Sequence, residues 1–566
     1  YSSYLALCTA PHAAVENLRR MAETGLSGPY GLWEAVDFTS SRTGGGPVCV
    51  RCVMAHHLGM SLCAIANALC GGVLRRWFFS DPAMAAYTGL LQEKIPAGGK
   101  LLRRVPGSVG RAERAGNAVP RTGEGADPFF PDGAALSNGA YRLLVTANGM
   151  SRASCGTLIP YRSARTPWED APGIALWAES GGVRQPLLPK PGEKGALRRR
   201  FTAGEALLAG QSGDIFWEMR CTVSRAYPGE LRRLRLRSGK AAPDAVIFGF
   251  EPVLLDTRDY AAHPAFARLG LCTSVRSGVL IVYRAPRGNQ SAQYLALACS
   301  GEAGFSSDFR QFPARGGAGE FRENTGWQNE PYIAARLPLP EGSACEIALA
   351  LCVAGDADTA ARGAQELLRE SSGFAMADAA AAIWGMESGE SAAAMEYLRA
   401  LTFPQLCAEG RALPGGTRDA LWRLGISGDL PVMVFDGGEN GTEAALRELR
   451  RHALLGACGV EYDLVFLTAP AGDYRNEQRA AIETALEAMR LSETLSLPGG
   501  VYFAFRGERE ALLAAAALFG DAAGTSLPAV RARALRLPPT AEKETGTPPV
   551  SHTDTGEVSF QTPPLP

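Results

Sequence analysis

Lysine is nearly absent from this chain of 566 residues. It occurs only at positions 94, 100, 190, 194, 240 and 543, and arginine carries the rest of the positive charge. With heavy alanine, glycine and proline use, this reads as the codon bias of a GC-rich genome, so the arginine excess says little about function. Net charge is also missing: Lys+Arg 57 against Asp+Glu 58 leaves −1. That balance argues against a general nucleic-acid binder and against a basic, surface-adsorbed protein. No apolar run approaches the roughly 18–20 residues of a membrane span. The longest runs, Ala511–Phe519 and Met376–Trp384, read as short Ala-rich helices. An initiator Met and a signal-peptide pattern are both lacking. The chain opens at Tyr1 inside what reads as continuous structure and closes on Ser559–Pro566, which reads as a linker. The length is therefore read as a cut through a longer protein.

Metal and nucleotide signatures are missing as well. The 13 cysteines are scattered and odd in number, and Cys49 and Cys52 form the only C-x-x-C spacing. No second pair or nearby His pattern completes a zinc site, so buried thiols in a reducing compartment are expected. H-E-x-x-H, G-x-G-x-x-G and a P-loop lysine are all absent. What remains is ordinary globular material, 46% apolar and 20% charged. At about 100–200 residues per domain, it is enough for roughly three to five domains.

The hydrophobic period divides the chain. Residues 1–96 read as helical, with runs at Ala13–Glu23 and Val53–Leu69 around a Gly- and aromatic-rich loop, Gly25–Gly46. Residues 97–130 read as a Gly/Pro/Arg-rich linker. From 131 to 356 the period becomes two. Tyr141–Val145, Leu231–Arg237, Ala245–Leu255, Val279–Tyr283, Tyr294–Cys299 and Cys345–Val353 read as strands without intervening helices, which predicts a large β-sandwich. Within Leu231–Arg237, Leu234 and Leu236 share one face, and the arginine face reads as solvated. Residues 357–420 return to helical patterning. Residues 421–535 alternate strand and helix as βαβαβα: Pro431–Phe435, Thr442–Leu455, Tyr462–Leu467, Asn476–Met489, Gly500–Phe505 and Glu508–Phe519. The Pro/Thr-rich tail, 536–566, reads as flexible. The fold class is thus multidomain α+β.

Three clusters could carry chemistry. Gly28–Thr39 packs Glu34, Asp37, Tyr30, Trp33 and Phe38 into what reads as a short helix–loop junction. Sugar sites need flat aromatic faces and carboxylates; a buried aromatic turn with Glu34 and Asp37 capping a neighbouring helix is the alternative. His56 and His57 are adjacent on a predicted helix and point about 100° apart, so they cannot share one metal as an i, i+4 pair does. One of them facing a cleft while the other packs is the expectation. Asp436–Thr442 is a Gly-rich strand-to-helix turn that could cradle phosphate by position. Its carboxylates, Asp436 and Glu439, would repel an anion, and a plain tight turn is favoured.

Read in order, these segments resemble the cyclic β-1,2-glucan synthase family. Asn17–Leu26, Gly28–Thr39, Val50–Ala66 and Leu91–Pro96 resemble the C-terminal end of its glycoamylase-like cyclisation module, an (α/α)6-type barrel. Leu136–Gly139 with Tyr141, Trp168–Asp170, Glu230–Leu234 and His263–Phe266 resemble the N-terminal super-sandwich of its phosphorylase-like module, of glycoside hydrolase family 94. Leu421–Pro431 resembles the family's connecting segment, and the α/β unit follows in the same order. The resemblance implies transglycosylation of β-1,2-glucan by a retaining mechanism, without metal or redox cofactor. Glu34 would be nucleophile or acid/base, with Asp37 in support, Tyr30 and Trp33 as sugar platforms, and His56 and His57 as polar contacts. A retaining pair stands about 5–5.5 Å apart, and the second carboxylate is expected upstream of Tyr1.

The resemblance also implies a membrane-bound parent holding these domains on the cytoplasmic side, and it leaves room for a homodimer through the sandwich. Three departures stand out. The glycosyltransferase module, most of the cyclisation barrel and the phosphorylase barrel are absent. Leu32 and Trp33 replace the usual Phe and Tyr, and Leu58 stands where Gln is more frequent. A fragment with these gaps is expected to lack full activity alone. The alternative functions are a non-catalytic carbohydrate-binding or scaffold protein and, less favoured, a nucleotide-binding protein using the α/β unit.

Overall fold

In the computed structural model of the chain, strands that alternate large apolar and polar residues pair into long antiparallel sheets. The structure describes residues 1–38, 47–81, 120–167, 169–189, 197–239, 243–262, 264, 267, 269–286, 291–308, 311, 321–326, 331–340, 344–404, 419–438, 441–468, 477–521 and 524–526. Outside these lie Thr39, Leu91–Pro96, Trp168, His263, Ala265, Phe266, Glu439, Asn440 and Asn476, residues 97–119 of the expected linker, residues 405–418 and the Pro-rich tail.

The β region has two layers. One is a nine-stranded antiparallel sheet whose order runs Leu271–Arg276, Val279–Arg284, Gln293–Cys299, Ala344–Ala354, Gly229–Ser238, Ile215–Val223, Ala206–Ser212, Arg198–Phe201 and Arg121–Glu124. Its last strand falls inside the stretch read as linker. Arg-Thr-Gly-Glu carries no apolar alternation, and the segment is a strand because it pairs with Arg198–Phe201 at the sheet edge. The facing layer consists of two five-stranded sheets. Ala245–Phe250 belongs to one and Pro252–Asp256 to the other; within the ladder of Pro252–Asp256 with Leu158–Tyr161 the register shifts between Pro252 and Leu255, where Leu254 has φ +49°. A single apolar core joins all three sheets, with Trp217, Met219, Leu234 and Leu236 from one layer and Leu143, Tyr161, Phe248 and Phe250 from the other. Each such side chain contributes about 1.5–3 kcal/mol through burial.

Helix Ala357–Leu367 covers the outer face of the nine-stranded sheet. Asp356 caps it by accepting from Thr359 N at 2.8 Å. Gly363 lets the helix approach closely, because a Cβ there would stand 2.6 Å from Cys352 Sγ.

The strand predicted at Leu231–Arg237 extends over Gly229–Ser238. Arg235 and Arg237 are exposed, but Arg232 is fully buried and shares the inward face with Glu230, Leu234 and Leu236. Leu231 points the other way, into the contact with helix Ala357–Leu367. Alternation places Arg232 inward on the face of Glu230, two residues earlier, and the two pair at 3.1 Å.

The C-terminal sheet has the order Val501–Phe505, Asp463–Thr468, Val432–Asp436, Leu518–Asp521, Gly524–Ser526. The first four strands are parallel and the last is antiparallel. This corrects the three-strand βαβαβα reading. The expected helix Glu508–Phe519 ends at Ala515, and its last residues become a strand beside Val432–Asp436. Alanine favours helix locally, but the ladder bonds offered by the parallel edge outweigh that preference. Helices Thr442–Ala457 and Glu477–Ala488 pack on one face together with residues 376–401, and Leu421, Ile426 and Leu512 pack on the other.

A polar group sits inside the first of those packings. Glu448 is 1% exposed; the Tyr397 hydroxyl donates to its Oε2 at 2.7 Å, while its Oε1 is buried without a hydrogen bond. Burial pushes its carboxyl up to about 6. Asp463, in the neighbouring strand, is likewise pushed up to about 6 by burial. A carboxyl that binds its proton more tightly when folded stabilises the fold below its unfolded pKa and penalises it once ionised. Stability of this unit is therefore expected to fall as pH rises from about 4.5 to 6, by about 2 kcal/mol for Glu448. Hydrogen exchange of the helix Thr442–Ala457 amides tests this. Glu448→Gln should flatten that dependence and raise protection at pH 7.5; an unchanged pH profile would refute it.

The N-terminal residues form helices Ser2–Leu5, Pro11–Glu23, Ala55–Leu69 and Val73–Ser80 with two small strand pairs between them. Few of these residues are buried, and Leu62, Leu69 and Trp77 are 67%, 81% and 67% exposed. Among the described residues no single helix is long and apolar enough to cross a membrane. The pair Ala55–Leu69 and Val73–Ser80 would pass on length and composition together but is bent by 100°.

Candidate functional site

The Gly28–Phe38 segment is built from short strands, not from a helix–loop junction. Ser27–Gly28 pairs with Gly31–Leu32 around Pro29 and Tyr30. Gly31 takes φ +107°, which excludes most side chains. Trp33 folds back so that its ring lies against Gly28, where a Cβ would stand 2.7 Å from it. The ring is thus half-buried against backbone, while Tyr30 and Phe38 are 72% and 75% exposed.

The next strand, Ala35–Asp37, pairs with Val48–Val50, Ala35 lying opposite Val50. This register brings Glu34, one residue before the first strand, alongside the chain that leaves the second. That chain passes Cys52 and enters helix Ala55–Leu69, whose first turn carries His57. Glu34 Oε1 lies 2.5 Å from His57 Nδ1, with both side chains under one-tenth exposed. The contact is an ion-pair distance without hydrogen-bond alignment, since His57 Nδ1 is otherwise a buried nitrogen lacking a partner. The carboxylate also sits by the first turn of a helix, where the backbone dipole favours negative charge. On its other side, the His57 ring stacks on Tyr1 at 3.7 Å and 15°. His56 is exposed, its ring 4.1 Å from that of His57. Burial, then the Glu34 charge, pushes the Cys52 thiol up.

The structure therefore brings Glu34 and His57 together, places His56 beside them and leaves Tyr30 at the surface. Asp37 lies partly buried in its strand, opposite Val48. Tyr1 was not singled out from sequence, and Cys52 was weighed only as half of a C-x-x-C pair. A register that pairs residue 35 with residue 50 would have pointed to Cys52, but no local pattern marks Tyr1. Among the described residues no group of three His, Cys, Asp or Glu is placed to hold a metal ion.

On either side of Glu439 and Asn440, the described ends of the Asp436–Thr442 segment come together. A Cβ on Gly441 would meet Gly437 O at 1.7 Å, and Gly438 takes φ +67°. Asp436 accepts from Gly438 N at 3.1 Å and pairs with Arg506 at 3.2 Å. Its arginine contact is thus taken up within the protein.

The layered β region defines the class. Residues 117–369 match the glycosyl hydrolase 94 supersandwich domain. In an alignment that covers 89% of its length, the chain is similar at 29% identity to the cyclic β-(1,2)-glucan synthase NdvB of Rhizobium meliloti (strain 1021), and it spans 19% of that protein's length. Among solved structures, a bacterial glucoamylase complexed with acarbose matches with a TM-score of 0.32 at 12% identity, over 51% of this chain and 42% of that one. A putative kojibiose phosphorylase from the human microbiome matches with a TM-score of 0.25 at 7% identity, over 50% and 43%. These scores are too low for either structure to guide the reading of the site.

Proposed function

We propose that this chain is a segment of a cyclic β-1,2-glucan synthase and that Glu34 is one of the two carboxylates of its retaining, transglycosylating site. The observation that carries the role of Glu34 is its burial against His57 at the start of helix Ala55–Leu69. A carboxylate withdrawn from water and held by a cation-capable ring is fixed in orientation, as nucleophiles and acid/base groups must be. His57 acts as a positioning residue. Tyr30, exposed on the adjoining hairpin, offers a sugar platform, and Trp33 shapes the hairpin that carries it. Asp37 supports the site from the next strand.

The second carboxylate belongs to a part of the enzyme beyond this chain. The exposed apolar residues of the N-terminal helices, Leu62, Leu69 and Trp77, support their reading as one end of a larger helical barrel. The supersandwich serves the phosphorylase-like module as a saccharide-binding wall. A membrane-bound parent with these domains on the cytoplasmic side belongs to the same reading. Measuring cyclisation of linear β-1,2-glucan by the complete enzyme carrying Glu34→Gln tests the assignment: cyclisation should be lost. The non-catalytic scaffold reading requires it to be unchanged.

A further inference from the structure

A cavity of about 480 Å³ opens where the edge strands Arg121–Glu124 and Arg198–Phe201 meet the turn at 125–132 and the short helix Leu398–Leu401. Its size falls within the range of small-ligand pockets. The walls are fixed. Asp132 accepts from Arg121, from Arg199 Nε at 3.2 Å and from Gly133 N at 2.8 Å, and Arg199 Nη1 also holds Gly125 O at 2.7 Å. Asp127 Oδ1 accepts from Phe129 N and Phe130 N, which sets the turn that carries Phe130 to the cavity.

Arg399 differs from these groups. It lines the cavity, its Nε is buried without a hydrogen-bond partner, and no carboxylate among the described residues pairs with it. That nitrogen is closed off from solvent, so a ligand in the cavity would be met by the Arg399 Nη groups. The lining mixes three carboxylates, Glu124, Asp127 and Asp132, with two guanidiniums, Arg199 and Arg399, and adds one partly buried aromatic ring. Polyanions are disfavoured by that balance. Neutral polyols are favoured, because each hydroxyl needs both a donor and an acceptor, and a ring face can lie on Phe130.

We propose that this cavity binds one or two sugar units of a neutral glucan, with Arg399 donating to hydroxyls, Glu124 and Asp127 accepting from them, and Phe130 beneath a ring. The proposal rests on the carbohydrate reading above but on none of its site residues. The test is calorimetric titration of the full chain with the β-1,2-linked glucose disaccharide and, separately, with the α-1,4-linked one. Saturable binding of the first is expected. Arg399→Met and Glu124→Gln should each weaken it about tenfold or more, with an unchanged unfolding midpoint. Glu124 is exposed, so its variant stays informative even if Arg399→Met folds poorly. Absence of saturable binding with both disaccharides, or binding that both variants leave intact, overturns the proposal. A preference for the α-1,4 disaccharide would keep the cavity as a sugar site and count against the β-1,2-glucan reading instead.

Discussion

Arg232→Met is expected to destabilise the β-sandwich by about 3–5 kcal/mol, the usual cost of leaving one partner of a buried ion pair alone. Arg232 and Glu230 are each 0% exposed and lie between the two layers. The Tyr161 hydroxyl, from the opposite layer, donates to both Glu230 oxygens at 3.2 Å, and Arg232 Nη2 donates to Tyr161 Oη at 3.3 Å. Burial lowers the arginine's proton affinity, but the Glu230 charge, the neighbouring Cys221 and Tyr161 and the hydrogen bond to Glu230 together outweigh it and hold Arg232 above its ordinary range. Burial likewise raises the Glu230 carboxyl despite its arginine partner.

The two single variants should differ in pH dependence. In Arg232→Met, the orphaned Glu230 can take up a proton, so the loss should shrink as pH falls. In Glu230→Leu, the orphaned guanidinium cannot be neutralised, so the loss should persist across pH. The triple variant Glu230→Leu/Arg232→Met/Tyr161→Phe removes the ion pair and the Tyr161 hydroxyl together and leaves only the Tyr141 hydroxyl beside them. It should lie within about 1 kcal/mol of the parent, because replacing a whole polar set by apolar groups is often neutral. Urea unfolding followed through the buried Trp177 and Trp217 measures all three. Single-variant losses below about 1 kcal/mol, or a triple variant as unstable as Arg232→Met, would show that the pair is not the polar keystone of the core.

That pair also marks where sequence reasoning stops. Alternation in Leu231–Arg237 correctly separated Leu234 and Leu236 from Arg235 and Arg237, because the period of two is local. Alternation places Arg232 on that same inward face, but its hydrogen bond to Tyr161, about 70 residues away on another sheet, is a contact that no local pattern encodes. Strand Arg121–Glu124 was invisible for a similar reason: its pairing comes from Arg198–Phe201, and its own residues carry no apolar face. At Leu518–Asp521 the local signal pointed the wrong way, since an Ala-rich run favours helix until a parallel neighbour competes for its backbone. Glu34 and His57 were each conspicuous by type. Their meeting depends on the register between Ala35–Asp37 and Val48–Val50, which the sequence between them does not display.

For Glu34, the complete enzyme carrying Glu34→Gln is expected to lose cyclisation by about 100-fold to 10,000-fold, the range associated with positioned proton-transfer groups, or by more if Glu34 is the nucleophile. The amide keeps the volume of the side chain beside His57 and removes its charge and proton-transfer capacity, so folding should be little affected. Glu34→Ala assayed with added azide then separates the two roles. If Glu34 is the nucleophile, azide enters from the emptied face and gives a glycosyl azide of inverted configuration. If Glu34 is the acid/base, the glycosyl-enzyme still forms and azide displaces it, giving the retained configuration. His57→Gln completes the test of geometry. A positioning residue held 2.5 Å from the carboxylate should lower kcat with little change in KM and shift the pH profile. A purely structural histidine would lower the amount of folded enzyme and leave the profile in place. Cyclisation that survives Glu34→Gln at the parent rate would remove Glu34 from the chemistry and leave the hairpin as scaffold.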